Sequence, residues 1–411
     1  MPPFLEPLTP AAAPASRRPS PSADAHVASA ATAATAQVAP ATGRVGWADV
    51  AKGLCILLVV LHHVVGKHLP EAVALLGAPQ LVLTAWDAFD VVFKPMRMPL
   101  FFLISGMFCA SALRRPWGQV LVRKVVTPYW VYAVWLGLHA VVFTHFATSI
   151  GTHRAPLGPE LLGYLLYAAT GLWYLYALAA YFVLARLLRG LPAWLVVAAA
   201  AALSAATTWL PLEGVNRESV VECFVYFLAG ARLPDLLRRM PLLPVGGLLP
   251  LLVGYGALAA TCAVLDVPHS LKYLLLAAPA VVLGAQLAMH LEQRPRVGPG
   301  LAALGRRTLP VYVLHMVLLG LLHEVVLRLP DADVAPGGHP AALVLATVVA
   351  LAWPAVLTAA LVVACLGLQR GLVASGAGVL FAPPARLVGS ARPKAARKPD
   401  TAPERALPNI G

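Results

Sequence analysis

Trp47-Ala48-Asp49-Val50-Ala51-Lys52-Gly53-Leu54-Cys55-Ile56-Leu57-Leu58-Val59-Val60-Leu61-His62-His63 is the stretch on which the reading of this chain turns. Eleven steps separate Lys52 from His63. At a helical 100° per residue they bring the two side chains to within about 20° of each other on the helix wheel, and roughly 16 Å apart along the axis. One face of one membrane helix thus carries a cation at the surface and an imidazole near the midplane. Ionisable groups are costly at that depth, which marks them as functional. The residues alone leave His63 two roles. It is either a general base, because imidazole takes and returns a proton near neutral pH, or a hydrogen-bonding group that glues helices together. His62 lies 100° further round and faces another helix or a water pocket.

Composition extends this reading to the whole chain. Of 411 residues, 59% are hydrophobic and only 12% are charged, which is far from the balance of a soluble globular protein. Several apolar runs reach the length of a bilayer crossing, and no series of short alternating segments suggests a barrel. The expected fold is an all-α polytopic membrane protein of about ten transmembrane helices. They are placed at 50–67, 96–113, 125–147, 171–188, 193–210, 219–233, 243–265, 271–291, 308–328 and 341–369. The segments 71–94 and 157–170 are partly apolar and read as interfacial or re-entrant. Residues 1–45 form an Ala/Pro-rich cytoplasmic N-terminus expected to be disordered, 46–371 a membrane domain, and 372–411 a basic, Pro-rich cytoplasmic tail.

Charge sets the orientation. With both termini cytoplasmic, 24 of the 31 basic residues fall inside, among them Arg114, Arg115, Arg189, Arg232 and Arg238. Nine acids, including Asp87, Asp90 and Glu218, fall outside. The net charge of +13 is therefore a topology signal rather than a nucleic-acid patch. The five cysteines all sit in apolar stretches without a CxxC pair, so they read as buried thiols, with no metal site or disulfide framework.

Other polar groups fall within the apolar segments. Arg97 is placed at the outer end of the second helix, about 26 Å by helical rise from Arg114. It binds an acceptor sugar, pairs with Asp87 or Asp90, or snorkels to the interface. Pro99 suits a helix's first turn, and Ser105-Gly106 offers a small surface for close helix approach. Glu222 is either a site residue or the partner of a cation such as Arg217. His139, His290, His315, His323 and Glu324 complete the set, and Trp173 with its neighbouring tyrosines marks the fourth helix either as an interfacial anchor or as a sugar platform.

These residues together resemble the bacterial acyltransferase-3 family. Asp49-Val-Ala-Lys52-Gly53…His63 is similar to its first-helix signature, a basic residue followed after ten positions by the catalytic histidine. Met98-Pro99-Leu100-Phe101-Phe102-Leu103-Ile104-Ser105-Gly106 resembles its Phe-Phe-x-x-Ser-Gly element. Arg123-Lys124…Pro128-Tyr129-Trp130, Leu172-Trp173-Tyr174-Leu175 and Pro310-Val-Tyr312-Val-Leu-His315 resemble three more, in the family's order, over roughly 46–370. Where many members have arginine this chain has Lys52, a point charge without a bidentate fork. No esterase-like domain follows the last helix, as in stand-alone members that modify fucose-like sugars or periplasmic glucans.

The resemblance implies an O-acyltransferase of the bacterial inner membrane. It would move an acyl group, acetyl by first expectation and succinyl otherwise, from cytoplasmic acyl-CoA to a glycan or glycolipid hydroxyl. His63 would be the catalytic residue, deprotonating the acceptor or relaying the acyl group covalently. Lys52, Arg123 and Lys124 would meet the phosphates of acyl-CoA, a donor substrate rather than a resident cofactor. Arg97, Trp173, Glu222 and His315 would line the acceptor site. Membrane lipid is the only other expected partner. Two rivals remain. A glycan or lipid transporter or flippase would use the same groups as a path, although no internal repeat supports it. A lipid-type membrane acyltransferase of another fold would place its histidine late, at His315.

Overall fold

Long apolar runs become helices here because backbone polar groups in lipid can bond only to one another. The computed structural model describes residues 45–144, 158–168, 170–212, 216–328 and 340–388. Helices follow in chain order as α1 (Gly46–Lys67), α2 (Leu69–Leu76), α3 (Leu81–Cys109), α4 (Trp117–Thr144), α5 (Glu160–Tyr167), α6 (Trp173–Leu187), α7 (Ala193–Ala205) and α8 (Arg217–Glu222). They continue as α9 (Phe224–Arg232), α10 (Pro234–Arg238), α11 (Val245–Val264), α12 (His269–Glu292), α13 (Gly298–Gly305), α14 (Thr308–Leu327) and α15 (Pro340–Ala374). No strand occurs among the described residues. The chain is a polytopic all-α membrane protein. Seven described helices (α1, α3, α4, α11, α12, α14 and α15) are long and apolar enough to span a bilayer. The expected fourth, fifth and sixth spans correspond to α6, α7 and the α8–α9 pair, which are helical but shorter. The expected terminal segments fall outside the described residues up to position 44 and from 389 onward.

Three boundaries differ from the sequence expectation for physical reasons. The second span begins at Leu81, not near 96, and absorbs most of the 71–94 segment. Pro99 is not in a first turn. With Pro95 it lies inside α3, a position tolerated where packed neighbours support the freed backbone groups. The third span starts earlier, at Trp117, and passes through a π-helical turn at Val122–Val126 that carries Arg123 and Lys124. The sixth is broken at Cys223. There the Tyr181 hydroxyl donates to the Val220 carbonyl and the Ser204 hydroxyl to the Glu222 carbonyl (3.3 Å), drawing acceptors away from the helix ladder.

α1 is the central element, packed against α3, α12, α13, α14 and α15. Two pairs of glycines let backbones touch. A Cβ on Gly53 would overlap the Leu301 carbonyl, and one on Gly305 the Asp49 carbonyl, which joins α1 to α13. A Cβ on Gly106 would overlap the Phe227 carbonyl, and one on Gly230 the Leu103 carbonyl, which joins α3 to α9. The small surface expected at Ser105-Gly106 is thus a backbone crossing. At the periphery, α11 leaves Leu249, Leu252, Val253 and Val264 exposed, as a lipid-facing helix should. All five cysteines are buried and free.

Candidate active site

α1 brings His62 and His63 to the wall of a cavity of about 420 Å³. The α1 face that bears His63 meets α14, and the His63 and His315 rings lie 5.3 Å apart between centroids. His315 Nδ1 donates to the carbonyl of Val311 at 2.9 Å, one turn earlier on its own helix. In a neutral ring that bond fixes the tautomer and leaves the lone pair on Nε2. The His62 ring, 5.0 Å from that of His63, turns toward α3 instead, and its Nδ1 lies 3.0 Å from both carboxylate oxygens of Asp90. Arg97, only 7% exposed, donates to the same carboxylate at 2.6 Å. Of the alternatives left open for Arg97, the structure shows pairing with Asp90. The group also lines the cavity, so the pairing does not take it out of the site.

Further lining residues come from α8 and α12. Glu222 is buried, accepts from the Thr207 hydroxyl at 3.4 Å, and has His269 Nδ1 at 3.7 Å. The His269 ring lies parallel to that of Tyr273. Trp173 supplies an aromatic face, and Lys94, Asn216, Glu218 and Ser219 add polar groups. The chamber is thus rich in hydrogen-bonding partners, with the aromatic rings of Trp173, Tyr273 and Tyr312 at hand. Such a lining suits a hydroxyl-bearing ligand better than a hydrocarbon.

A second cavity of about 240 Å³ abuts the first, and Val59, Met98 and Tyr312 line both. Its other walls are largely apolar, including Ile56, Phe101 and Leu175. Arg123, Thr127 and Thr308 are its polar exceptions. Arg123 sits in the π-helical turn of α4, and Thr308 follows the Arg306-Arg307 pair. The apolar chamber thus has Arg123 in its lining and the Arg306-Arg307 pair next to Thr308, at the arginine-rich end of the helices, and the polar chamber holding the histidines adjoins it at Val59, Met98 and Tyr312.

A hydrogen-bond chain holds the partition between them. The Tyr174 N–H donates to the Tyr312 hydroxyl (3.1 Å), which donates to the Gly171 carbonyl (2.7 Å). Ser105 Oγ donates to the Phe101 carbonyl (2.8 Å), so the Tyr174 hydroxyl donates to Ser105 (2.9 Å). Three residues spread over about two hundred positions of the chain thus join in one chain of hydrogen bonds: Ser105 of α3, Tyr174 of α6 and Tyr312 of α14.

The remaining expected site residues lie apart from both chambers. Lys52 pairs with Asp49 at 2.9 Å and stands 5.2 Å from the Phe108 ring centre, while Asp49 also has Arg306 at 3.9 Å. Lys124 donates to Cys109 Sγ at 3.4 Å. Neither lysine lines the two chambers. His139 and His290 donate to the carbonyls of Val313 and Leu243, each at 3.0 Å, and act as helix-to-backbone ties. Sequence reasoning did not single out Asn216, Ser219, His269 or Tyr273, because nothing in their spacing distinguishes them from ordinary helix-end residues.

Comparison with known proteins places the chain in a family. The acyltransferase-3 sequence model, described as an acyltransferase domain, matches residues 45–366. The inner membrane protein YcfT of Escherichia coli (strain K12) is 29% identical over 294 residues, which cover 66% of this chain and 79% of that protein. No solved structure matches. Matched by that model over most of its length, this chain belongs to the acyltransferase-3 family and is a multi-pass membrane acyltransferase that transfers groups other than aminoacyl groups.

Proposed function

We propose that the protein carries an acyl group, acetyl in the first instance, from cytoplasmic acyl-CoA to a hydroxyl of a cell-surface or periplasmic glycan or its precursor, in a bacterial inner membrane. One observation carries the reading: an apolar chamber with a cation at the arginine-rich end abuts a polar chamber that holds the histidines. By the positive-inside rule the arginine-rich end faces the cytoplasm, where acyl-CoA is found. The pantetheine arm enters past Arg123, while Lys52 and Lys124, which line neither chamber, add positive charge at the same end of the helices. The thioester arrives at the partition, and the acceptor hydroxyl sits in the polar chamber between Trp173, Arg97 and Glu222. His63 takes the hydroxyl proton, the oxygen attacks the thioester carbonyl, and the carbon–sulfur bond breaks as the ester forms. The proton passes from the imidazolium to the departing thiolate. His315, its tautomer set by Val311, steadies the charged ring.

Membranes holding the protein, incubated with labelled acetyl-CoA and envelope glycan, test the whole reading. Label should appear in glycan as a base-labile ester. Glycan movement without consumption of acetyl-CoA would instead identify a transporter.

Asp90 has a part in this scheme that a substitution can expose. It holds both His62 and Arg97 in place. Asp90→Asn weakens two charge-assisted hydrogen bonds, each of about 1.5–3 kcal/mol. The expected result is a fall of about ten- to a hundredfold in kcat/KM, mostly through KM for the acceptor. Steady-state kinetics with separately varied donor and acceptor would show it. A fall confined to the donor KM would place Asp90 on the wrong side of the partition.

A further inference from the structure

Another cavity, larger than either chamber, lies away from both at the arginine-rich end and shares no lining residue with them. Its volume is about 760 Å³. Four guanidinium groups line it: Arg114 after α3, Arg189 between α6 and α7, Arg232 at the end of α9 and Arg238 at the end of α10. Asp235 is the one carboxylate in that lining, 3.7 Å from Arg238. Four positive charges and one negative leave the concavity with an excess of three.

Two of these arginines are anchored rather than loose. Arg232 donates to the carbonyls of Arg189 (2.9 Å) and Leu191, and Arg189 donates to the carbonyl of Leu113 (3.3 Å). Below them the buried Arg186 donates to the Ala112 and Leu113 carbonyls and lies over the Trp117 ring. Backbone carbonyls therefore hold like charges together around one space, against their mutual repulsion. Each anchored guanidinium keeps further N–H groups for a ligand, since the group has five. The start of α7 points the same way. Gly190 and Ala193 line the cavity, and no side chain caps that helix, so its first N–H groups and dipole favour an anion.

We propose that this cavity binds a phosphate group, independently of acyl transfer. Arginine forks match phosphate oxygens in pairs, and a phosphate would neutralise the excess charge that the carbonyl anchors hold in place. Two sources present that chemistry at a cytoplasmic membrane surface: an anionic phospholipid headgroup and a soluble phosphate.

The full-length protein in detergent micelles, titrated with phosphatidylglycerol, phosphatidylcholine or inorganic phosphate, tests the proposal by native mass spectrometry and by thermal shift. Phosphatidylglycerol should bind at least about tenfold more tightly than phosphatidylcholine if the source is a lipid. If the source is soluble, inorganic phosphate should stabilise the protein with no preference between lipids. In either case the variant Arg114→Gln/Arg189→Gln/Arg238→Gln should lose about tenfold or more in affinity, and the matching triple lysine variant should recover part of it. Should the triple glutamine variant fail to fold, Arg114→Gln alone should show a smaller loss in the same direction. Equal binding of every probe by variant and wild type, within about twofold, overturns the proposal.

Discussion

His63→Ala is expected to leave the protein folded in the membrane and to lower acyl transfer by about 10²–10⁴-fold, the range that a positioned general base supplies. The ring is only partly buried and faces a cavity, so its loss enlarges a chamber instead of opening a void in the packed core. The reaction loses its proton acceptor at the one place where acceptor and thioester meet. Extraction, thermal melting and binding of acyl-CoA should resemble the wild type while turnover falls. His315→Ala is the informative partner. On the proposed scheme it lowers turnover less, because His315 acts on the His63 ring and not on the substrate. Wild-type turnover in His63→Ala, with loss in His315→Ala, would move the chemistry to the late histidine and refute the assignment made here.

Gly230→Val is expected to prevent folding altogether. A Cβ at this position falls on the Leu103 carbonyl of α3, and a Cβ on its opposite number, Gly106, falls on the Phe227 carbonyl of α9. Backbone cannot give way as a flexible side chain does. The cost should therefore exceed the roughly 1–3 kcal/mol usual for overpacking. The two helices would separate, and α3 carries Asp90 and Arg97 into the site. Expression level and a size-exclusion profile in detergent should report aggregation or loss. Gly254→Ala on α11 serves as control, because nothing lies within 4 Å of a Cβ there. A well-folded, active Gly230→Val protein would mean that α3 and α9 do not cross as described.

Much of this molecule could be read from its residues because lipid imposes so few solutions. Apolar runs such as 243–265 and 308–328 have to be helices, and the structure places α11 and α14 within two residues of those limits. Of the boundaries that differed, the start of α3 did so for a definite reason. Pro95 and Pro99 are stop signals in water, where a broken helix can bond to solvent, but not between packed helices. The site divides along similar lines. His63, Arg97, Trp173 and Glu222 were picked out as polar or aromatic groups in apolar company, and they meet around one chamber. His269 and Tyr273 were not, because residues at a helix entrance attract no suspicion from composition.

Sequence alone determined that this is a helical membrane protein of the acyltransferase-3 type, since hydrophobic length and the order of its motifs are properties of a single strand of residues. Tertiary structure decided which groups face each other: His62 with Asp90, His63 with His315, Glu222 with His269, and Lys52 with Asp49 on its own helix instead of with a chamber. Helical periodicity states which side of a helix a residue occupies. What lies opposite depends on how shapes fit, and in lipid that fit rests on close packing at small residues such as Gly106 and Gly230, because hydrophobicity no longer distinguishes one neighbour from another.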